Sequence, residues 1–364
     1  MGESLRVGIV GAGKISGQYS ATLARLSQVE VTAVADLNPG RAELLAGQHP
    51  GARVTGLPDL YAAPDVDVVL NLTTPSQHAA VAFATIAAGK HLYGEKPLTV
   101  TGADGLAVLE AAASAGVRVA CAPDTVLGTG VQTARAAVDA GEIGVPHAAT
   151  AFMTVPGHER WHPDPEFYYQ QGGGPLMDMG PYYLTTLVHL LGPVGRVAGM
   201  SSRPRTERTI GDGPRAGTPF PVDVDTHLTG VLEHESGALT TLIMSFDTWA
   251  THLPFIELYG STGSLSLPDP NHFDGDVRHF TAGGEAWSVL PRRAGYADAG
   301  RGVGLLDLAE ALTEDRPHRA AADVALHILE VMEAIEASAR GGGSVPVHTT
   351  CRRPDAVPGV IELG

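Results

Sequence analysis

The feature that most constrains this chain lies near its start. An apolar run, Leu5 to Val10, leads directly into Gly11-Ala-Gly13-Lys14-Ile15-Ser16, so a G-x-G-x-x-S pattern succeeds a strand and opens a helix. Gly11 permits a tight turn, and Gly13 removes the side chain that would block a pyrophosphate. Ser16 is the small residue at the third, helix-packing position, and the helix N-terminus then faces the anion. The competing reading is a glycine-rich turn with no ligand.

Beyond this turn the chain continues as a βαβ series. Val29 to Ala35, Val66 to Leu72, His91 to Tyr93 and Val117 to Ala120 read as further strands, separated by helical stretches Ile15 to Leu26, Gln77 to Ala88 and Leu106 to Ala115. Runs that are apolar throughout are what parallel strands covered on both faces require. After about Pro123 the period changes. Asp225 to Glu233, Ala238 to Phe246 and Phe255 to Tyr259 alternate apolar with polar or small residues, as antiparallel strands with one covered face do. Helices are expected over Gly130 to Ala140, Tyr182 to Leu191, Gly304 to Thr313 and Ala320 to Ala339, with a surface excursion at Arg203 to Pro221 and a tail from Gly341. The expected architecture is an α/β Rossmann N-terminal domain, residues 1–123, plus a C-terminal α+β domain, residues 124–364, with an open, mainly antiparallel sheet.

Charge narrows the partners. Twenty-four Lys and Arg against 40 Asp and Glu leave a net charge of −16, which repels nucleic acid and anionic membranes at long range. No apolar run reaches the 18 residues a membrane span needs. Cys121 and Cys351 do not make a secreted disulfide framework, and Met-Gly-Glu-Ser lacks a basic leader, so a cytoplasmic protein is expected.

Asp36 ends the second strand, 25 residues after Gly11, where a carboxylate accepts hydrogen bonds from ribose hydroxyls and repels a 2′-phosphate. This favours NAD over NADP, although Arg41 is close enough to receive a phosphate. Asp36 as a helix N-cap before Pro39 is compatible with either. Next, Thr74-Pro-Ser-Gln-His78 closes one βα unit and Glu95-Lys96-Pro97 closes another. A Rossmann fingerprint, then T-P-x-x-H, then E-K-P, then an α+β lobe resembles the glucose-fructose oxidoreductase, inositol dehydrogenase and related (Gfo/Idh/MocA) family over nearly the whole chain. That resemblance implies cofactor contacts at Gly11, Gly13, Lys14, Ile15, Asp36, Arg41, Thr74, His78, Glu95 and Lys96. It also implies a C-terminal domain that binds substrate and oligomerises, as a dimer or tetramer. In the family the E-K-P lysine lies beside the nicotinamide and the reacting hydroxyl, a role that carries over to Lys96. Otherwise Lys96 is solvated with Glu95 as its ion-pair partner, and His78 caps a helix.

A second signature is Gly172-Gly-Gly-Pro-Leu-Met-Asp178-Met-Gly180-Pro-Tyr182. It is similar to the family's D-x-G-x-H, with Asp178 and Gly180 matched and the histidine replaced by Tyr182. That histidine is the family's usual proton acceptor, so Tyr182 or another group must do its work. A tyrosine with a pKa of ~10 serves as a base only if a cation lowers it; Lys96 and the oxidised nicotinamide are the candidates. If the helix begins by Gly180, Asp178 and Tyr182, four residues apart, face the same cleft. Packing or hydroxyl positioning is the plainer reading of Tyr182.

His158-Glu159-Arg160-Trp161-His162 is formally H-E-x-x-H, the zinc-hydrolase pattern. Two imidazoles four apart meet one zinc across a helical turn, yet Pro156-Gly157 precede and Pro163 and Pro165 follow, so no metal site is expected. The aromatic loop looks instead like a sugar-binding wall, with Trp161, His162 and Tyr168 as substrate-binding residues. His162 is also a candidate for the missing histidine, or a loop-packing residue. The expected reaction is hydride transfer between NAD and a secondary alcohol of a sugar, sugar derivative or cyclitol, with Lys96, Tyr182 and Asp178 catalytic. A non-catalytic dinucleotide-binding sensor and a zinc hydrolase through His158 and His162 are the alternatives.

Overall fold

The computed structural model describes residues 4–363; Met1 to Glu3, part of the N-terminus read for a leader, lie outside them. The chain divides into two compact units. Of the described residues the first comprises 4–132, Arg292–Leu326 and 354–363, the second Thr133–Pro291 and His327–Arg353. This differs from a single boundary after residue 123, because late segments return to the first unit. There Asp124 accepts the backbone N–H groups of Gly302 and Gly304, and Gln132 accepts that of Val357.

In the first unit the elements run β1 (Leu5–Val10), α1 (Ser16–Leu23), β2 (Val29–Ala35), α2 (Pro39–Ala46), β3 (Arg53–Val54), α3 (Leu57–Ala62), β4 (Val68–Asn71), α4 (His78–Ala87), β5 (His91–Gly94), α5 (Gly102–Ala115) and β6 (Val119–Cys121). The strands pair in parallel in the order β3-β2-β1-β4-β5-β6. This is the Rossmann arrangement, whose order reverses between β1 and β4 and so opens a crevice at their C-terminal ends. Strands β1, β2 and β4 are buried nearly throughout, which is why they read as unbroken apolar runs. The short α2, β3 and α3 escape periodicity; α2 is set by Asn38, whose side chain accepts the Arg41 N–H, and by Pro39 in its first turn. Asn38, not Asp36, is therefore the cap.

α6 (Thr129–Asp139) carries the chain out of the first unit. The second unit contains β7 (Pro146–Thr154), α7 (Gly174–Leu191), β8 (Val194–Ser202), β9 (Glu207–Thr209), β10 (Pro219–Pro221), β11 (His227–His234), β12 (Leu239–Ser245), β13 (Ile256–Gly260), β14 (Gly263–Leu267), β15 (Arg278–Thr281) and β16 (Ser288–Val289). β17 (Gly295–Ala297) and α8 (Val303–Thr313) belong to the first unit. α9 (Ala322–Gly341) leads back to the second, where β18 (Ser344–Pro346) lies, and β19 (Val360–Glu362) pairs with β17. Nine strands form the sheet β16-β15-β14-β13-β7-β12-β11-β8-β18, antiparallel except where β7 runs beside β12. Alternate residues of β11 are buried, and α7 packs on β7, β11 and β12.

α7 begins eight residues before the Tyr182 expected from sequence and passes through Pro181. A proline inside a helix costs about 3 kcal/mol. The unbroken buried run from Gly180 to Leu191 offsets it, since each large apolar side chain contributes roughly 1.5–3 kcal/mol. Arg203 to Pro221 is likewise more than an excursion: its tip is exposed, but β9 and β10 pair and Arg208, Ile210 and Phe220 are buried.

Candidate active site

The turn after β1 meets the requirements of a pyrophosphate cradle. Gly11 has φ +98°, and a Cβ on it would lie 2.7 Å from the Leu72 carbonyl oxygen, so only glycine fits. A Cβ on Gly13 would meet nothing within 4 Å, which leaves open space where a phosphate would approach the backbone. Ile15 precedes α1 without a side-chain cap, and the Ser16 hydroxyl donates to the Gly13 carbonyl, closing the turn. Asp36 accepts the Ala12 N–H at 2.7 Å and the Asn38 N–H at 2.7 Å, one on each oxygen. Each oxygen keeps a second lone pair for a ribose hydroxyl. Lys14, Arg41 and Thr74 carry exposed side chains. These residues fit NAD.

At the end of β5, Glu95 is buried and accepts the Tyr19 hydroxyl at 2.8 Å and the Lys96 backbone N–H at 2.9 Å. Burial, reinforced by the Glu95 charge, pushes the Tyr19 phenol well above its ordinary pKa, so Tyr19 remains the donor. Glu95 thereby fixes the backbone from which the half-buried Lys96 projects. His78 starts α4 fully buried, with Nδ1 2.6 Å from the Pro97 carbonyl and Nε2 3.1 Å from the Thr73 carbonyl. It braces the loops after β4 and β5 against each other, a role nearer to positioning than to direct cofactor contact.

In the second unit the loop after β7 carries two single-turn segments, His158–Arg160 and Glu166–Tyr168. Arg208 organises it: Nη1 donates to Glu159 Oε1 at 2.8 Å, Nη2 donates to Asp247 Oδ1 at 2.6 Å, and the guanidinium lies 4.9 Å from the Tyr169 ring centroid. Gly157 has φ +108°, and a Cβ there would lie 2.4 Å from Arg208 Nη1. The Tyr169 hydroxyl donates to Glu159 and accepts the His158 backbone N–H at 3.0 Å. Burial, then the bond to Glu159, raises the Tyr169 pKa and keeps this phenol protonated.

The imidazole of His158 is thus carried on a fixed backbone, with Nε2 3.0 Å from Asp178 Oδ2 and both side chains mostly buried. Its ring packs against Trp161, Tyr168 and Phe246 at centroid distances of 5.2, 4.7 and 4.5 Å. The expected substrate residues Trp161, His162 and Tyr168 lie together here, joined by Phe167; Trp161 is 50% and Phe167 54% exposed. Tyr182, one helical turn beyond Asp178, is only 4% exposed. His158 enters the sequence reading as a zinc ligand and as the first residue of the aromatic loop, with no role as a base, and Arg208 falls in a stretch read as surface. The one local signal for either is the Gly157 that precedes His158.

The zinc pattern does not assemble. His158–Arg160 is a single 3-10 turn, and Glu159 is committed to Arg208 and Tyr169. Among the described residues no group of three or more His, Cys, Asp or Glu is placed to hold a metal ion.

A parallel sheet in this order, with a glycine turn after its first strand and a carboxylate at the end of its second, is the architecture of a dinucleotide-binding domain. Residues 5–122 match the oxidoreductase family with an NAD-binding Rossmann fold, and residues 131–266 match the GFO/IDH/MocA C-terminal domain. The chain belongs to the Gfo/Idh/MocA oxidoreductase family. Among its relatives, dTDP-3,4-didehydro-2,6-dideoxy-alpha-D-glucose 3-reductase from Streptomyces violaceoruber is 30% identical over 318 residues, 83% of this chain and 90% of that protein. The 1,5-anhydro-D-fructose reductase of Ensifer adhaerens is 30% identical over 267 residues, 71% of this chain and 74% of that protein. An NAD binding oxidoreductase from Klebsiella pneumoniae shares the fold with a TM-score of 0.82 at 22% identity, covering 95% of this chain and 99% of that one.

Proposed function

We propose that this protein oxidises a secondary alcohol of a sugar, sugar derivative or cyclitol, or reduces the corresponding ketone, with NAD as the hydride partner. The observation that carries the cofactor choice is the open space over Gly13 together with the doubly anchored carboxylate of Asp36. Sugar substrates draw support from the two curated relatives, both named as reductases of sugar derivatives. Bound NAD supplies the hydride acceptor, and the protein supplies binding, orientation and proton handling. In this reading Lys96 hydrogen-bonds the reacting hydroxyl, Asp178 belongs to the proton-handling group, and Trp161, His162 and Tyr168 contact the sugar. The exposed aromatic faces of Trp161 and Phe167 suit the apolar face of a pyranose ring, and a net charge of −16 offers no long-range attraction to anions.

We also propose a cytoplasmic homo-oligomer, a dimer or tetramer, that binds neither nucleic acid nor membrane. Supporting this are a net charge of −16, which disfavours nucleic acid and anionic membranes, and the exposed Met200, Val231 and Leu239 on the second unit's sheet; among the described residues no helix is long and apolar enough to cross a membrane. The test of function is NADH formation with a panel of D-glucose, levoglucosan, 1,5-anhydro-D-glucitol and myo-inositol, with NADH binding followed by fluorescence. NADH binding plus turnover of at least one member is expected. Absence of NADH binding defeats the cofactor assignment.

A further inference from the structure

We propose that His158, oriented by Asp178, is the proton acceptor in alcohol oxidation, in place of the histidine whose position in the D-x-G-x-H motif is taken by Tyr182. The inference rests on the oxidoreductase reading above and names the base within it. An ionised carboxylate only accepts hydrogen bonds, so the 3.0 Å contact from Asp178 Oδ2 fixes the hydrogen on Nε2 and leaves the lone pair on Nδ1. Nδ1 has no hydrogen-bond partner among the described residues and is not fully sealed from solvent, on a side chain that is 14% exposed. This is the base-and-orienter arrangement of hydrolytic triads, with a substrate hydroxyl in place of the nucleophile.

The surroundings hold the ring. Tyr169 bonds the His158 backbone, while Trp161, Tyr168 and Phe246 pack the imidazole. The charged and titratable groups around it are Asp178 on α7, Glu159, His162, Tyr168 and Tyr169 on its own loop, and Arg208 and Asp247 beyond Glu159. Glu159, adjacent in sequence, is turned away by Arg208, which leaves Asp178 as the carboxylate on the imidazole. In the step proposed, the substrate O–H bond breaks and its proton passes to Nδ1. The carbinol hydrogen leaves with its bonding pair to NAD+, and the C–O bond becomes a carbonyl. The imidazolium is stabilised by Asp178 and returns its proton to water, so one alcohol and one NAD+ give one ketone, one NADH and one proton.

The experiment uses the full chain, the polyol panel above, and the variants His158→Asn, Asp178→Asn and Tyr182→Phe. His158→Asn should lower kcat by about 100-fold or more, with partial rescue by added imidazole and unaltered NADH fluorescence titration. The acidic limb of the wild-type kcat/KM profile should vanish in His158→Asn and persist in Tyr182→Phe. Retention of rate and limb in His158→Asn, or loss of the limb in Tyr182→Phe alone, would overturn the proposal. If no panel member turns over, the substrate reading fails separately, and the dyad is read from ring spectra of 15N-histidine-labelled protein. A His158 Nε2–H tautomer that is lost in Asp178→Asn supports the dyad, and an Nδ1–H tautomer in the wild type sinks it.

Discussion

Glu159 and Arg208, 49 residues apart, are joined by a 2.8 Å hydrogen bond between Oε1 and Nη1 with both side chains buried. The same guanidinium reaches the partly buried Asp247, which Arg205 approaches at 3.7 Å. Replacing Arg208 with methionine leaves the buried Glu159 without its cation and Asp247 with Arg205 at 3.7 Å, and breaking a buried pair costs about 3–5 kcal/mol. A large fall in the urea midpoint is expected. Arg208→Lys keeps the charge but loses the planar fork and should fall between the two. A midpoint unchanged in Arg208→Met would mean that the loop carrying His158 is held by other contacts.

This pairing also marks where sequence stops being informative. The strands β1 and β2 are written locally, because burial on both faces demands unbroken apolar runs, and their limits coincide with those runs. The glycine turn is local too. His158 and Asp178 are 20 residues apart, and no periodicity encodes which imidazole meets which carboxylate. The expected helix starts at Tyr182 and the Arg-, Gly-, Pro- and Thr-rich Arg203 to Pro221 reads as a surface excursion; burial of α7 on the sheet and of Arg208 beneath Gly157 overrides both. The return of residues 292–326 to the first unit is equally invisible to a reading of composition along the chain.

Asp36 offers a cofactor test. Its oxygens each hold a backbone N–H and retain a lone pair toward a ribose, so Asp36→Ser should weaken NAD while relieving repulsion of a 2′-phosphate. The ratio of Kd for NADH to Kd for NADPH is expected to rise about tenfold, the equivalent of ~1.4 kcal/mol. Equal losses for both cofactors would assign Asp36 to turn geometry alone.

Asp124 is fully buried; Oδ2 accepts the N–H groups of Gly302 and Gly304, and Oδ1, near the Tyr93 phenol, has no hydrogen bond of good geometry among the described residues. Burial raises its pKa, against the opposing pull of those N–H groups and of Arg301. A carboxyl whose folded pKa exceeds the unfolded value of about 3.9 binds more protons folded than unfolded. Its contribution is therefore fully present below about pH 4 and is lost as pH rises through the folded pKa. Asp124→Asn keeps an acceptor for the two glycine N–H groups and removes the titration. The variant should melt higher than the wild type at pH 8, with the difference shrinking toward pH 4. A destabilised variant at pH 8 would show that the charged form is the one the fold requires.

Lys96 projects from a backbone held by Glu95, itself held by the protonated Tyr19. This chain of contacts acts through the Lys96 backbone N–H and fixes where the side chain originates. Lys96→Met keeps the approximate length of the side chain and removes its hydrogen bonds, so the Tyr19–Glu95 brace should survive and NADH should bind normally. If Lys96 acts at the reacting hydroxyl, kcat falls by about 100-fold or more while the NADH Kd moves little. Tyr19→Phe separates support from chemistry: it removes one of the two donors to Glu95 and loosens the backbone at Lys96. That variant should lose less turnover than Lys96→Met and melt at a lower temperature, because a buried carboxylate loses a partner. Near-normal kcat in Lys96→Met would remove the lysine from the reaction, and weakened NADH binding with intact kcat would move its role to the cofactor.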